Sequence, residues 1–341
     1  MAQIVAARDA DARRWDDFVA AHPDGTFFHL YKWKRVIERA FGHRMHYLLA
    51  ERDGKCVGVL PLGEIRSLLF GHALISTPFC VYGGPVAEDE PTANALIDAA
   101  GARARELGVA YLELRSVKRW RPDWPCKDLY VTFRKPMAAT DDENMKAIPR
   151  KQRAVVRAGI EAGLQARVSD DVHGLWNIYS ESVRNLGTPV FPRRYFSILR
   201  EEFADDCEIL SVEHQNRAVA AVMSFRFRDE ILPYYGGGTA AARDCKANDF
   251  MYWEVMRRAL GAGARVFDYG RSKRETGSYR FKKHWGFEPA PLYYEYLLVK
   301  AKELPNVSPA NPKYAAFVAL WQRLPLWASR TFGPWLARAL G

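Results

Sequence analysis

Apolar and polar side chains alternate around a short polar turn at two places in the chain. HYLLAERDGKCVGVLPL, from His46 to Leu62, carries two strand-like runs around Arg52-Asp53-Gly54. CEILSVEHQNRAVAAVMSF, from Cys207 to Phe225, carries two more around His214-Gln215-Asn216. Each predicts a β-hairpin. Glu51 and Glu213 stand at the same place before the two turns.

The segments after the two hairpins also match. FCVYGGP in the first half corresponds to LPYYGGG in the second, so that Tyr82-Gly83-Gly84 matches Tyr235-Gly236-Gly237. A helical run comes next in each half: ANALIDAAGARARELG ends at Gly108 and NDFMYWEVMRRALGAG at Gly263. Glycine just past the last turn is an expected helix stop. Each helix leads into a strand with an acid at the same position, Glu113 in YLELRS and Asp268 in VFDYGRS. The first half has a longer stretch around RSLLFGHA, as loop insertion into one copy produces. The order hairpin, strand, helix, strand predicts an α/β (α+β) fold of two tandem domains. Each would be a mixed, mostly antiparallel sheet flanked by helices. The expected boundaries are residues 1–138, 139–300 and a tail, 301–341.

The second half has additional helices. SDDVHGLWNIYSESVRNLG spaces Leu175, Ile178, Tyr179, Ser182 and Leu186 helically, with Ser169 or Asp170 to cap its start and Gly187 its end. In PRKQRAVVRAGIEAGL, Pro149 suits the first turn, and Arg150, Arg153 and Arg157 recur on one face. The tail opens with the proline-marked PNVSPANPK. Tyr314, Phe317, Val318, Trp321 and Leu324 then form one face before Pro325, and Leu326, Trp327, Phe332, Trp335 and Leu336 come after it. Such a tail suits a membrane surface or packing on its own domain. The general habit of amphipathic helices favours packing.

Composition narrows the partners. The 341 residues are 48% hydrophobic and carry a formal charge of +10. That balance builds packed cores and favours acidic partners such as nucleic acid, phosphorylated metabolites or an anionic membrane. The five cysteines lack metal-ligand spacing, which points to a reducing compartment. No apolar run approaches the roughly 20 residues that span a bilayer, and the first residues lack the apolar core of a secretory signal. The expectation is a cytoplasmic protein, peripheral at most to the inner membrane.

Candidate chemistry gathers in FDYGRSKRETGSYRFKKHWGF, Phe267 to Phe287, where a strand with a buried-looking acid runs into a basic aromatic loop. Asp268 either orients or deprotonates an amine, or pairs with Arg271 or caps a neighbouring loop. Lys282 either stabilises a developing oxyanion or is merely solvated. Gly236 and Gly237 either expose backbone N–H groups to a carbonyl or anion, or answer to the fold. Arg150 with its neighbours fits phosphate or a solvated face. Arg184, Asn185 and Thr188, around Gly187 and just before two prolines, suit a binding loop or an ordinary connection. No phosphate-binding loop, dinucleotide fingerprint, nucleophile elbow or zinc-protease motif is present.

With YGGP, PRKQRAVVRAGIEAGL, PYYGGG, NDFMYWEVMRRALGAG, FDYGRS and FKKHWGF in this order, the chain resembles the FemAB-like branch of the tandem GNAT acyltransferases. It also resembles the BioF2-like acetyltransferase domain and the FemAB type associated with exopolysaccharide and PEP-CTERM protein sorting. The resemblance spans roughly residues 15 to 300. It implies acyl or aminoacyl transfer to an amine with no covalent enzyme intermediate, in a cleft between two domains. In Fem transferases the donor is an aminoacyl-tRNA and the acceptor a peptidoglycan precursor. Lys282 matches the family lysine assigned to the oxyanion, Phe281 its preceding aromatic, and Tyr235 the strand end lining the acceptor cleft. The expected catalytic residues are Lys282 and Asp268. Tyr235, Gly236, Gly237, Arg271, Phe281, Arg184, Asn185 and Arg150 are the expected binding residues. No tightly bound cofactor or metal is expected. Acyl-CoA or aminoacyl-tRNA would be co-substrate, and an amine on a cell-envelope or exopolysaccharide precursor the acceptor. Transfer RNA and a peripheral membrane contact through the tail complete the expected partners. The GNAT pyrophosphate loop R/Q-x-x-G-x-G/A is missing: the second copy reads GGGTAAARDCKANDF and the first GGPVAEDEPTAN. That leaves a rival from another class, a catalytically silent duplicated module binding an anionic glycan, lipid or protein at the inner membrane.

Overall fold

The computed structural model describes residues 2–67, 71–305 and 312–339. Part of RSLLFGHA and most of PNVSPANPK lie outside these, and Tyr314 is described in its backbone alone. Two compact units emerge. The first comprises residues 1–130, 291–306 and 338–341, and the second residues 131–290 and 307–337.

In the first unit the order is β1 (Gln3–Ala6), α1 (Ala12–Ala21), α2 (Lys32–Phe41), β2 (Arg44–Met45), β3 (Leu48–Arg52), β4 (Lys55–Leu60), β5 (Leu62–Ser67) and β6 (Gly71–Ser76). It continues with β7 (Val86–Ala87), α3 (Glu90–Leu107), β8 (Tyr111–Ser116) and β9 (Cys126–Lys127). Strands β1-β3-β4-β7 form one sheet. Pro61, which has no N–H to donate to a ladder, separates β4 from β5, and β5 continues into a second sheet.

The second unit starts in β10 (Tyr130–Pro136) and runs through α4 (Asp141–Ala147), α5 (Arg150–Glu161), β11 (Gln165–Ser169), α6 (Val172–Asn185) and α7 (Arg193–Phe203). Next come β12 (Cys207–His214), β13 (Arg217–Phe227), β14 (Glu230–Gly238), α8 (Ala241–Asp244), α9 (Ala247–Gly261), β15 (Val266–Lys273), α10 (Gly277–His284) and β16 (Pro289–Pro291). The chain then enters β17 (Tyr293–Leu298) of the first unit and closes with α11 (Pro312–Arg323) and α12 (Leu326–Arg338).

The two units repeat one strand order. The first unit's larger sheet runs β2-β5-β6-β8-β17-β9, and the second unit's sheet runs β11-β12-β13-β14-β15-β10-β16. The sixth position of the second sheet is filled by β10, the last strand before the boundary that the sequence pattern places at residue 138. Its counterpart beside β8 is β17, from far down the sequence. Each half thus supplies one strand to the unit built mainly from the other.

Local chemistry explains the elements. Both hairpins close through two residues with left-handed backbone, Asp53 and Gly54 at φ 52° and 76°, and Gln215 and Asn216 at 49° and 61°. This is the turn that matches strand twist. Helix α3 stops at Gly108, φ 60°, as its sequence predicts. The cap of α6 is Asp171, whose carboxylate accepts the Gly174 N–H at 2.8 Å, not Ser169 or Asp170. Three adjacent side chains there are all capable of capping, so composition alone did not choose. Pro149 stands at the N-cap of α5, one place before its first turn. The core of the second unit packs Phe133, Val222, Met251, Phe267, Tyr269, Trp285 and Phe287 between α9 and the sheet.

Candidate functional site

Each unit contains a parallel strand pair, and there the two copies diverge. In the first, β6 and β8 pair at Ala73↔Tyr111, Leu74↔Leu112 and Ile75↔Glu113. Beyond that point the intervening loop folds back onto β8. Gly83 N–H donates to the Arg115 carbonyl at 2.9 Å, and Arg115 N–H to Ser76 Oγ at 2.8 Å. Glu113 pairs with Arg115 at 2.6 Å, and the guanidinium also reaches the Cys80 carbonyl. The first copy is closed by its own chain.

In the second unit the parallel register of β14 and β15 is confined to Glu230↔Val266 and Ile231↔Phe267, though both strands run on. Tyr252 of α9 reaches both. Its hydroxyl is 3.2 Å from where a Cβ on Gly236 would stand, and its ring is 4.9 Å from Tyr269.

On the part of β15 beyond its register with β14, Gly270 has φ 65°. Glycine adopts this left-handed conformation without the Cβ clash other residues meet. In a regular strand successive carbonyls point to opposite edges. The kink breaks that alternation, and the carbonyls of Gly270 and Arg271 both accept from Lys282 Nζ, at 3.0 and 2.9 Å. Asp268 Oδ1 accepts the Gly270 N–H at 2.7 Å, and Oδ2 lies 3.5 Å from Arg134 Nε. Arg134 also pairs with Glu230.

Lys282 lies in α10, a helix where the sequence suggested a loop. Thr276 caps the start of α10 through the Tyr279 N–H. Gly286, φ 79°, ends it, with the Phe287 N–H returning to the Lys282 carbonyl at 3.3 Å. The buried Trp285 and Phe287 anchor that end. Trp285 Nε1 donates to Asp249 Oδ1 at 3.0 Å, and Gln152 of α5 donates to the same oxygen. The Phe133 ring lies 5.5 Å from Lys282 Nζ. Burial pushes the Lys282 ammonium down to about 7; the Asp268 carboxylate opposes the shift and Arg271 adds to it.

Among the expected residues, the fold brings together Asp268, Arg271, Phe281 and Lys282. Phe281 packs on Tyr252 and Tyr269, 5.6 and 6.3 Å away. Tyr235 sits in an aromatic cluster with Tyr179, Phe191 and Phe196, its hydroxyl bonded to Tyr195 at 2.6 Å. Gly236 and Gly237 come next on β14, where α6 crosses closely. A Cβ on Gly237 would stand 2.5 Å from Ser182 Cβ. Arg184 and Asn185 meet α11: Arg184 Nη1 donates to the Gln322 carbonyl, and Gln322 Nε2 to the Asn185 carbonyl, both at 3.1 Å. Arg150 is exposed at the start of α5, while Arg153 turns back to the carbonyls of Ile148 and Lys146.

Sequence reasoning missed Arg134, Phe133 and Asp249. The first two lie on the exchanged strand β10, far from Lys282 in the chain, and no local pattern marks them. It also missed Glu181 of α6, whose carboxylate accepts the Ala240 N–H at 3.0 Å in the turn between β14 and α9.

Known proteins share the fold. Residues 143–283 match the family model described as an acetyltransferase (GNAT) domain. No curated protein sequence matches the chain. Among solved structures, FemX aligns at a TM-score of 0.68 with 16% identity, over 86% of this chain and 97% of that one. A tandem GNAT protein from the clavulanic acid biosynthesis pathway aligns at 0.55 with 12% identity, over 89% and 100%. L-PGS from Bacillus licheniformis aligns at 0.55 with 12% identity, over 93% and 98%. The fold is that of tandem GNAT proteins, as the sequence pattern predicted.

Packing and titration each give a testable outcome. Gly237→Ala forces a methyl into Ser182 and destabilises the protein by about 1–3 kcal/mol in urea unfolding. Adding Ser182→Gly recovers part of that loss, whereas a glycine needed only for ligand access shows no such rescue. Lys282 has an unfolded value near 10.5 and a folded value of about 7. Between these the unfolded chain holds more protons at this site, so its contribution to stability rises with pH. Measured against Lys282→Met, wild-type stability gains from pH 7 toward 10.5 and shows no such trend below 7.

Proposed function

We propose that the second unit catalyses acyl or aminoacyl transfer from an activated ester or thioester to an amine on a cell-envelope or exopolysaccharide precursor. The observation that carries this reading is the Lys282 ammonium, fixed by the two carbonyls of Gly270 and Arg271 within the stretch that matches the acetyltransferase model. An ammonium has three N–H donors and these carbonyls take two. In this reading the third meets a substrate oxygen.

The neutral amine of the acceptor attacks the acyl carbon, and an N–C bond forms. Negative charge gathers on the carbonyl oxygen and meets the remaining Lys282 N–H. Such a donor is worth most in a dry site, where it is already aligned before charge develops. The tetrahedral intermediate collapses with loss of the alkoxide or thiolate, and the amine proton leaves with it or to solvent. Asp268 is a positioning residue in this scheme: it holds the Gly270 N–H and thereby the kink that aims the two carbonyls.

For the donor, the turn after β14 is informative. A nucleotide pyrophosphate seated there would need free backbone N–H groups, yet the Ala240 N–H is taken by Glu181. That backbone donor is not free for a pyrophosphate, and the R/Q-x-x-G-x-G/A sequence is missing at the same turn. This favours an aminoacyl-tRNA donor, in keeping with the FemAB resemblance of the sequence. The exopolysaccharide setting rests on that resemblance alone.

Intact-mass detection of acylated product, with cell extract supplying both substrates, tests the reading. Wild type yields a product heavier by one acyl or aminoacyl group, and ribonuclease treatment of the extract abolishes it. Product that survives ribonuclease would assign a thioester donor instead. Lys282→Met lowers the rate by about 10²- to 10³-fold. An undiminished rate in a folded Lys282→Met protein would remove Lys282 from the chemistry.

A further inference from the structure

The tail helix α12 is packed inside out. Every residue it buries is small: Ala328, Ser329, Gly333 and Ala337. Gly333 lies where a Cβ would come 3.0 Å from both the N and Cγ1 of Val190. Its large apolar side chains face away. Trp327, Phe332 and Trp335 are 69%, 56% and 64% exposed. An amphipathic helix that serves only its own domain places its large side chains inward. Here Trp327, Thr331 and Trp335 succeed one another at four-residue steps, and Phe332 stands three before Trp335, so they share one side of the helix. On α11, Leu320 is exposed to a similar degree, and Leu186 beside that helix is too.

The helix is nonetheless firmly held. Arg330 Nε donates to Ser180 Oγ at 2.9 Å, and Nη2 to the Asn177 carbonyl at 3.1 Å, while the guanidinium lies over Trp176. The outward aromatics are therefore presented on an ordered element.

Charge selects the occupant. From residue 304 to residue 341 no Asp or Glu occurs, whereas Lys313, Arg323, Arg330 and Arg338 do. Arg323 and Arg338 are exposed. Tryptophan and phenylalanine beside cations, with no carboxylate among them, match the headgroup level of an anionic bilayer, where amphipathic rings settle and basic groups meet lipid phosphate. No described helix is long and apolar enough to cross a membrane, so the fit is to the surface.

We infer that α12, through Trp327, Phe332 and Trp335, docks the protein on the surface of an anionic phospholipid membrane. This goes beyond the transfer reaction and does not depend on it. The face acts as an interfacial anchor, its rings entering the boundary of headgroup and acyl chain while Arg323 and Arg338 remain at phosphate depth.

Flotation of the full-length protein tests it. Vesicles of phosphatidylcholine with phosphatidylglycerol carry the protein upward, and vesicles of phosphatidylcholine alone carry much less. Trp327→Ser with Phe332→Ser and Trp335→Ser lowers the bound fraction about tenfold or more. Its circular dichroism and unfolding midpoint stay as in wild type, because the altered side chains are exposed. Wild type that floats with neither vesicle overturns the inference. So does a triple variant that floats as well as wild type. A wild-type dimer that the triple variant converts to monomer, without vesicle binding by either, also overturns it and makes the face a contact between copies.

Discussion

A buried ammonium must be hydrogen-bonded or it will lose its proton. Lys282 meets that demand with two successive carbonyls of one strand, which regular β geometry forbids. The left-handed backbone of Gly270 makes the arrangement possible, and the Asp268 carboxylate holds the kink by taking the Gly270 N–H. Helix α10 delivers the lysine from the other side. That in turn needs Thr276 at one end and the Gly286 turn with Trp285 and Phe287 at the other. Asp249 secures Trp285 to α9 and, through Gln152, to α5. The candidate chemistry thus rests on a chain of ordinary local devices converging on one nitrogen.

The two units show how one strand order yields different ends. Both contain a parallel pair with an acid on its second strand and a Tyr-Gly-Gly earlier in sequence, after β6 in the first unit and within β14 in the second. In the first, the acid is neutralised by Arg115 on its own strand, and the loop between the parallel strands folds back onto β8. In the second, the acid turns onto a glycine N–H and the strand kinks toward a lysine. Arg115 and Gly270, each two residues after its acid, mark the difference.

Much of this was legible from residues alone. The paired hairpins, the glycine-terminated helices and the repeated order come from periodicity and turn chemistry, and Lys282, Phe281, Arg271 and Asp268 do lie together. What was hidden has physical reasons. Periodicity reveals that YVTFRKP is a strand but says nothing of its partner, so β10 and with it Phe133 and Arg134 escaped. Helix α10 is short and cationic, which conceals its helical period, although Thr276 was a capping signal. Tyr235 reads as a ligand contact on position; what position does not reveal is that its ring packs among Tyr179, Phe191, Tyr195, Phe196 and Tyr234 and that its hydroxyl bonds to Tyr195. The glycines of β14 read as anion contacts or as needs of the fold; α6 presses against Gly237, and Val222 and Tyr252 stand against Gly236.

The central claim is that one lysine nitrogen is desolvated and gripped by the kinked strand. The most direct measurement is an NMR titration of the Lys282 side chain in lysine-labelled protein, assigned by its absence in Lys282→Arg. The account predicts a midpoint near 7, set apart from the other lysines. A Lys282 resonance that titrates with the bulk near 10.5 would show a solvated amine and contradict the account.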